Sequence, residues 1–69
     1  MSTVDTLSLV RFELRFMSLF NGGRGLAFPC DRNGDVDLDS LSEKARTNYM
    51  FARASVGREY ATPAVQLAN

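Results

Sequence analysis

The chain has 69 residues, with eight basic and eight acidic side chains and no histidine. This charge balance argues against the broad basic surface that non-specific nucleic-acid or anionic-membrane binding requires. The lack of histidine removes the commonest acid–base residue and the commonest metal ligand, so we expect no catalysis and no cofactor. A domain of this size lies near the lower limit for a stable core, which makes a homo-oligomer an expectation.

Cysteine content and hydropathy indicate the cellular compartment of the protein. Cys30 is the only cysteine in the sequence, so no intrachain disulfide can form and no cysteine pair is present to bind zinc. No stretch approaches the ~18 apolar residues of a membrane span, and the N-terminal segment lacks the basic start of a signal peptide. We therefore predict a cytoplasmic protein without a membrane partner. Residues 1–7 are small and polar, and we expect them to be disordered.

Residues 8–20 carry the alternation of a half-buried strand. The apolar positions are Val10, Phe12, Leu14 and Phe16, and the charged positions between them are Arg11, Glu13 and Arg15. Successive side chains of a strand point to opposite faces of the sheet. One face of this strand should therefore be buried, while the other stays open.

A hairpin should follow at residues 21–25, NGGRG. Two consecutive glycines after an asparagine supply the positive φ angles that tight hairpin turns require. The second strand is predicted over residues 25–30, GLAFPC, which also alternate. Because Pro29 cannot donate a ladder hydrogen bond, this strand should be short or lie at a sheet edge.

Residues 38–56 carry the periodicity of a helix with one apolar stripe. The stripe consists of Leu41, Ala45, Tyr49, Ala52 and Val56, with Leu38 at its start. Gly57 follows directly, at a position where a left-handed glycine commonly ends a helix. The stripe should pack on the sheet.

The last strand is predicted within residues 58–68, REYATPAVQLA. Its two alternating sets are Tyr60, Thr62 and Ala64 on one side and Ala61, Val65 and Leu67 on the other. Pro63 favours a sheet edge, and a strand order of two, one, three places both prolines on edge strands. The predicted fold class is α+β in the order β-β-α-β, a single domain over residues 1–69. It has a three-stranded, mostly antiparallel sheet with one helix packed on one face.

The acidic stretch DRNGDVDLDSLSE, residues 31–43, resembles the opening of an EF-hand calcium loop. Its first five residues, D-R-N-G-D, match the first three ligand positions of such a loop. The sixth position requires glycine and the twelfth requires glutamate, but the sequence has Val36 and Ser42 there. We therefore interpret the stretch as a turn followed by a helix cap, and predict no metal site.

The sequence allows two assignments of the N-cap of the predicted helix. In one arrangement Asp37 is the cap, and Val36 and Leu41 form a hydrophobic staple; in the other, Ser40 and Glu43 form a capping box. Either arrangement places carboxylates near the positive end of the helix dipole.

Cys30 and the glycine-rich turn are the remaining candidates for chemistry. A cysteine without a histidine to activate it, on an alternating strand, is more often a small buried hydrophobe than a nucleophile. The NGGRG turn offers backbone amides and Arg24 to a phosphate, but it lacks the lysine and the following helix of a P-loop. We interpret both features as structural.

Met50 and Phe51 predict an interaction surface on the helix. Met50 lies almost opposite the apolar stripe and Phe51 lies on its flank, so at least one of them should be exposed in a monomer. Exposed apolar side chains beside Arg46 and Arg53 are typical of interfaces. In the alternative interpretation, Phe51 folds over the sheet edge and Met50 is a single exposed hydrophobe.

The open sheet face is a second candidate surface, because one helix cannot cover both faces. It carries Arg11 and Arg15, and it is either solvated or an interface. A nucleic-acid-binding regulator that uses these two residues with Arg24 and Arg58 is the alternative function. Stacking of bases would then require an aromatic ring such as Tyr60 on the same face.

Three stretches, GLAFPCD, VDLDSLSEKARTNYMFAR and VGREY, resemble short uncharacterised bacterial proteins of proteobacterial type. Those proteins share the order of hairpin, helix and final strand, and the resemblance covers about residues 10–65. It implies a bacterial, cytoplasmic origin and no particular activity, cofactor or partner.

The sequence as a whole favours a non-enzymatic protein-interaction or regulatory module that forms a homodimer. The predicted partner-binding residues are Met50, Phe51, Arg46, Arg53, Arg11 and Arg15. The identity of the protein partner does not follow from the sequence.

Overall fold

The computed structural model describes residues 11–68. Its elements are β1 (Phe12–Met17), β2 (Gly25–Cys30), a 3-10 turn (Leu38–Ser40), α1 (Glu43–Ala54) and β3 (Ala64–Leu67). The strands form one antiparallel sheet in the order β2-β1-β3. The predicted α+β class and strand order are confirmed. The expectations for residues 1–7 and for a strand beginning near Ser8 lie outside the described residues.

The hairpin between β1 and β2 turns at residues 21–25, as predicted. The N–H of Arg24 donates to the carbonyl oxygen of Asn21 at 3.0 Å. Gly23 has a φ of 83°, whereas Gly22 is outside the left-handed region. One of the two glycines therefore supplies the conformation that this turn requires.

The core lies between α1 and the β1–β2 hairpin. Its buried apolar side chains are Leu14, Phe16, Phe28 and Ala52. The Phe16 ring meets the rings of Phe28 and Tyr49 edge to face, with centroids 5.9 and 6.2 Å apart. Such pairs contribute about 0.5 to 1.5 kcal/mol beyond the burial of their area. The helix thus packs on the two hairpin strands rather than on the whole sheet.

β3 is the edge strand that α1 does not cover. Leu67 is opposite Phe12 and Val65 is opposite Leu14, so both side chains point to the helix side. Val65 is nevertheless 39% exposed and Leu67 is 61% exposed. The apolar face of the sheet therefore continues beyond the edge of the core.

One extra residue lies between β3 and a separate bridge that joins Ser18 to Tyr60. β1 advances three residues from Arg15 to Ser18. Its partner covers four, from Ala64 back to Tyr60. Because side chains alternate with a period of two, the extra residue exchanges the faces. The Tyr60 ring consequently lies 6.3 Å from that of Phe16 in the core, and the prediction that grouped Tyr60 with Ala64 in one regular strand is wrong.

The helix predicted over residues 38–56 is in fact two elements. Asp37 caps the 3-10 turn: its carboxylate accepts hydrogen bonds from the N–H of Asp39 and the hydroxyl of Ser40, at 3.1 and 2.7 Å. Asp37 is therefore an N-cap, as predicted, but it caps the 3-10 turn and not α1. Since the Ser40 hydroxyl is bonded to Asp37, Ser40 does not form the alternative capping box.

Ser42 is the N-cap of α1, a role that the sequence interpretation did not assign. The backbone is extended at Leu41, which separates the 3-10 turn from the helix. The hydroxyl of Ser42 then accepts a hydrogen bond from the N–H of Ala45 at 3.1 Å. α1 ends at Ala54 with Ser55 as its C-cap, before the predicted end at Val56. Gly57 has the predicted left-handed conformation, with a φ of 87°, but it lies two residues beyond the cap and does not end the helix.

Gly25 provides a test of the β1–β2 register. A side-chain carbon at this position would overlap the carbonyl oxygen of Phe16, whereas at Gly22 no atom lies within 4 Å. We expect Gly25→Ala to lower the free energy of unfolding by roughly 1 to 3 kcal/mol, because the backbone of β1 cannot move aside freely. The matched variant Gly22→Ala should change it by less than about 0.5 kcal/mol. Denaturant titration followed by circular dichroism measures both; equal effects would contradict the close approach of the strands.

Candidate functional site

The helix ridge, defined as Met50 and Phe51, is the exposed apolar surface of α1. Met50 is 57% exposed and Phe51 is 49% exposed, which confirms that large apolar side chains meet solvent here. The Phe51 ring also meets the Tyr60 ring edge to face at 6.3 Å. Phe51 is thus partly folded onto the segment before β3, while Met50 projects from the helix.

Two arginines border the ridge, and each has a contact that orients it. The guanidinium of Arg46 donates to the carbonyl oxygens of Leu38 and Leu41, at 3.2 and 3.4 Å. The guanidinium of Arg53 lies 6.0 Å from the ring centroid of Tyr49. These arginines are four residues before and three residues after Met50, so they share its side of the helix.

The open sheet face is centred on a polar network. Arg15 lies 3.7 Å from a carboxylate oxygen of Glu13, and its Nε donates to the sulfur of Met17 at 3.2 Å. Gln66 donates to the same Glu13 carboxylate at 2.6 Å. Exposed ion pairs contribute at most about 1 kcal/mol, so the network matters chiefly because it makes this face hydrophilic. The structure thus favours the solvated interpretation of the open face.

Two of the four basic residues of the nucleic-acid alternative, Arg11 and Arg24, lie at opposite ends of β1. Arg11 directly precedes β1, whereas Arg24 lies in the turn beyond its other end. A strand of six residues spans roughly 20 Å, so these two charges are far apart. Arg15 is paired with Glu13 between them. Tyr60, the proposed stacking ring, packs in the core and is absent from the open face.

The acidic loop is held together by its own backbone. One carboxylate oxygen of Asp31 accepts hydrogen bonds from the N–H groups of Asn33 and Asp35, at 2.8 and 2.9 Å. Gly34 has a φ of 89°, which closes the turn. Within residues 11–68, no group of three or more His, Cys, Asp or Glu side chains is arranged to hold a metal ion. One oxygen of the carboxylate that would open a calcium loop thus accepts two main-chain hydrogen bonds.

Cys30 lies in a surface cavity of about 410 Å³ beside this loop. The residues that line the cavity include Cys30, Val36 and Leu41 together with Asp31, Asp35 and Asp37. Burial raises the pKa of the Cys30 thiol, and the negative charges of Asp31 and Asp35 raise it further. Since the thiolate is the reactive form, these surroundings make the cysteine a poor nucleophile.

The two edges of the sheet differ in protection. β2 carries Pro29, which has no N–H to offer a neighbouring strand. β3, with the sequence AVQL, contains neither a proline nor a charge. The sequence analysis placed Pro63 in this strand as a sign of an edge position, but that proline lies outside β3. The informative signal was the uncharged sequence that follows it.

Comparison with protein-family models, curated proteins and solved structures finds no match to this chain. In the described part of the chain, no helix has the length and apolar character needed to cross a membrane.

The structural role of Asp31 can be tested by substitution. We expect Asp31→Ala to lower the free energy of unfolding by about 1.5 to 3 kcal/mol, because two backbone N–H groups lose a charged acceptor. Asp39→Ala, at an exposed position of the same acidic stretch, should cost less than about 0.5 kcal/mol. Calcium titration should leave the amide resonances of residues 31–37 unmoved. Equal costs for the two variants would refute the structural role, and calcium-dependent shifts in that segment would contradict the prediction of no metal site.

The raised pKa of Cys30 predicts a shifted pH dependence of alkylation. The rate with iodoacetamide should rise at a higher pH in the folded chain than in the denatured chain, and Asp31→Asn or Asp35→Asn should move the folded profile downward. Because the folded state retains the thiol proton more strongly, this group contributes stability below the unfolded pKa and loses it as pH rises through the folded pKa. Coincident folded and denatured profiles would contradict the influence of burial and the carboxylates.

Proposed function

We propose that this chain is a non-enzymatic protein-interaction module that acts as a homodimer and binds a partner protein through the helix ridge. The observation that carries the proposal is the adjacent exposure of Met50 and Phe51, with Arg46 and Arg53 at their border. Methionine, aromatic residues and arginine are enriched at protein interfaces. A cytoplasmic, reducing compartment suits a single cysteine that is kept as a thiol.

The charge of α1 favours a particular chemistry in the partner. The helix carries Lys44, Arg46 and Arg53 against a single acidic residue, Glu43. An apolar centre with positive borders complements a segment that has apolar and acidic side chains, since complementary charge steers encounter and fixes orientation. We therefore propose an acidic, apolar segment of a partner protein as the occupant of the ridge.

Self-association is supported by the small size of the core. Four apolar side chains are buried within the described residues, and Val65 and Leu67 remain exposed on the same side of the sheet. A second copy that covers such residues stabilises the folded state by mass action. Chains of this length commonly depend on oligomerisation for that reason.

The ridge is tested with a pair of charge-matched variants. Met50→Glu adds a carboxylate at the ridge, and Ala27→Glu adds the same charge at an exposed position of the open sheet face, opposite Arg15. We expect a host protein captured by the immobilised wild-type chain to be retained by Ala27→Glu and reduced at least about tenfold by Met50→Glu. Quantitative mass spectrometry of the captured proteins measures the difference.

Two outcomes would overturn the proposal. Equal capture by both variants would remove the ridge as the binding surface. A light-scattering mass of 7.7 kDa, that of one chain, at high micromolar concentration would remove the homodimer. Circular dichroism of each variant serves as the folding control, since both positions are exposed.

A further inference from the structure

We propose that β3 pairs in antiparallel orientation with β3 of a second copy of this chain, about a two-fold axis at Gln66, to give a continuous six-stranded sheet. The inference deepens the proposed function and rests on its homodimer. It assigns self-association to a sheet edge that is separate from the helix ridge. The strand order of the assembly would be β2-β1-β3-β3′-β1′-β2′, with primes marking the second copy.

The hydrogen-bonding groups of β3 point the right way for this pairing. The N–H of Ala68 donates to the carbonyl oxygen of Arg11 at 3.0 Å, so position 68 bonds towards β1. Directions alternate along an antiparallel strand, so Gln66 and Ala64 also bond towards β1. The main-chain groups of Val65 and Leu67 therefore face away from the sheet, where a further strand can bond to them.

The same two residues carry the exposed apolar side chains. With Gln66 opposite Gln66′, each Val65 lies opposite the partner's Leu67, and the outward N–H and C=O groups of the two residues form two hydrogen-bonded pairs. Their side chains meet on the helix side, beside the half-buried Phe12. In this register the outward main-chain groups of β3 form hydrogen bonds. The same register covers Val65 and Leu67, which are 39% and 61% exposed in the single chain.

A second copy fits this edge because β3 is complementary to itself. The strand has no charge, so two copies meet without like charges across the axis. The Gln66 side chain lies on the open face, where it donates a 2.6 Å hydrogen bond to Glu13 of its own sheet. The opposite edge is protected by Pro29, so pairing through β3 closes the assembly at two chains rather than extending it into a filament.

Disulfide trapping tests the register. In this register Gln66 and Gln66′ form a pair that exchanges no hydrogen bonds. The Cα atoms of such a pair lie about 4.5 Å apart, within the range that a disulfide can bridge. In a Cys30→Ser background, Gln66→Cys should therefore form a covalent dimer under mild oxidation. Ala64→Cys, on the same face and strand, places its sulfur atoms roughly 13 Å apart in this register and should remain unlinked. Covalent dimer from Ala64→Cys in place of Gln66→Cys would overturn the assignment of the axis.

The variant Leu67→Pro distinguishes dimerisation through the β3 edge from dimerisation through another surface. The N–H that proline lacks at this position faces outward, so the variant keeps the β1–β3 bonds and should fold normally by circular dichroism. Sedimentation should show a dissociation constant for the dimer raised at least about tenfold by Leu67→Pro and unchanged by Met50→Glu. A dimer weakened by Met50→Glu and not by Leu67→Pro would overturn the edge and leave the homodimer standing. A wild-type monomer at all concentrations would overturn both.

Discussion

The reach of a single short helix is the constraint on which the rest of this structure depends. α1 has 12 residues and packs its apolar side on the β1–β2 hairpin, where Phe16 and Phe28 are buried. A sheet with three strands is wider than the stripe of one helix can cover. The apolar side chains of the third strand therefore lie beyond the core, and as an edge strand it satisfies its hydrogen bonds on one side only. The exposed residues at this edge follow from that geometry rather than from an irregular sequence.

The polar open face and the apolar ridge are consequences of the same arrangement. Because the helix lies on one face of the sheet, charged residues of β1 turn to the other, where Glu13 accepts contacts from both Arg15 and Gln66. Because the helix is itself covered on one side only, Met50 projects into solvent. The two surfaces differ in chemistry: the open face is centred on the Glu13 network, whereas the ridge has adjacent apolar side chains bordered by two arginines. This contrast is why the ridge, rather than the sheet face, supports the proposed partner site.

Much of the fold follows from local patterns in the sequence. Alternation in β1, the glycine-rich turn and the position of Pro29 predict the hairpin and the edge placement of β2, and the structure confirms them. Two features had no such signal. The break at Leu41 depends on Ser42 competing successfully for the role of N-cap, since helical periodicity runs unbroken through both residues. The extra residue before β3 depends on the pairing of Tyr60 with Ser18, a contact that alternation within one strand cannot reveal.

The acidic loop, residues 31–37, packs against the sheet in addition to connecting β2 to the helix. Asp31 fixes the turn, and a side-chain carbon at Gly34 would lie 3.0 Å from the side chain of Val65, so the loop rests against β3. The guanidinium of Arg32 lies 5.9 Å from the ring centroid of Phe12. The loop thus covers part of the sheet that the helix does not reach, and its cover decreases towards Leu67, the more exposed of the two β3 residues. The end of β3 therefore combines an exposed apolar side chain with main-chain groups that lack a neighbouring strand.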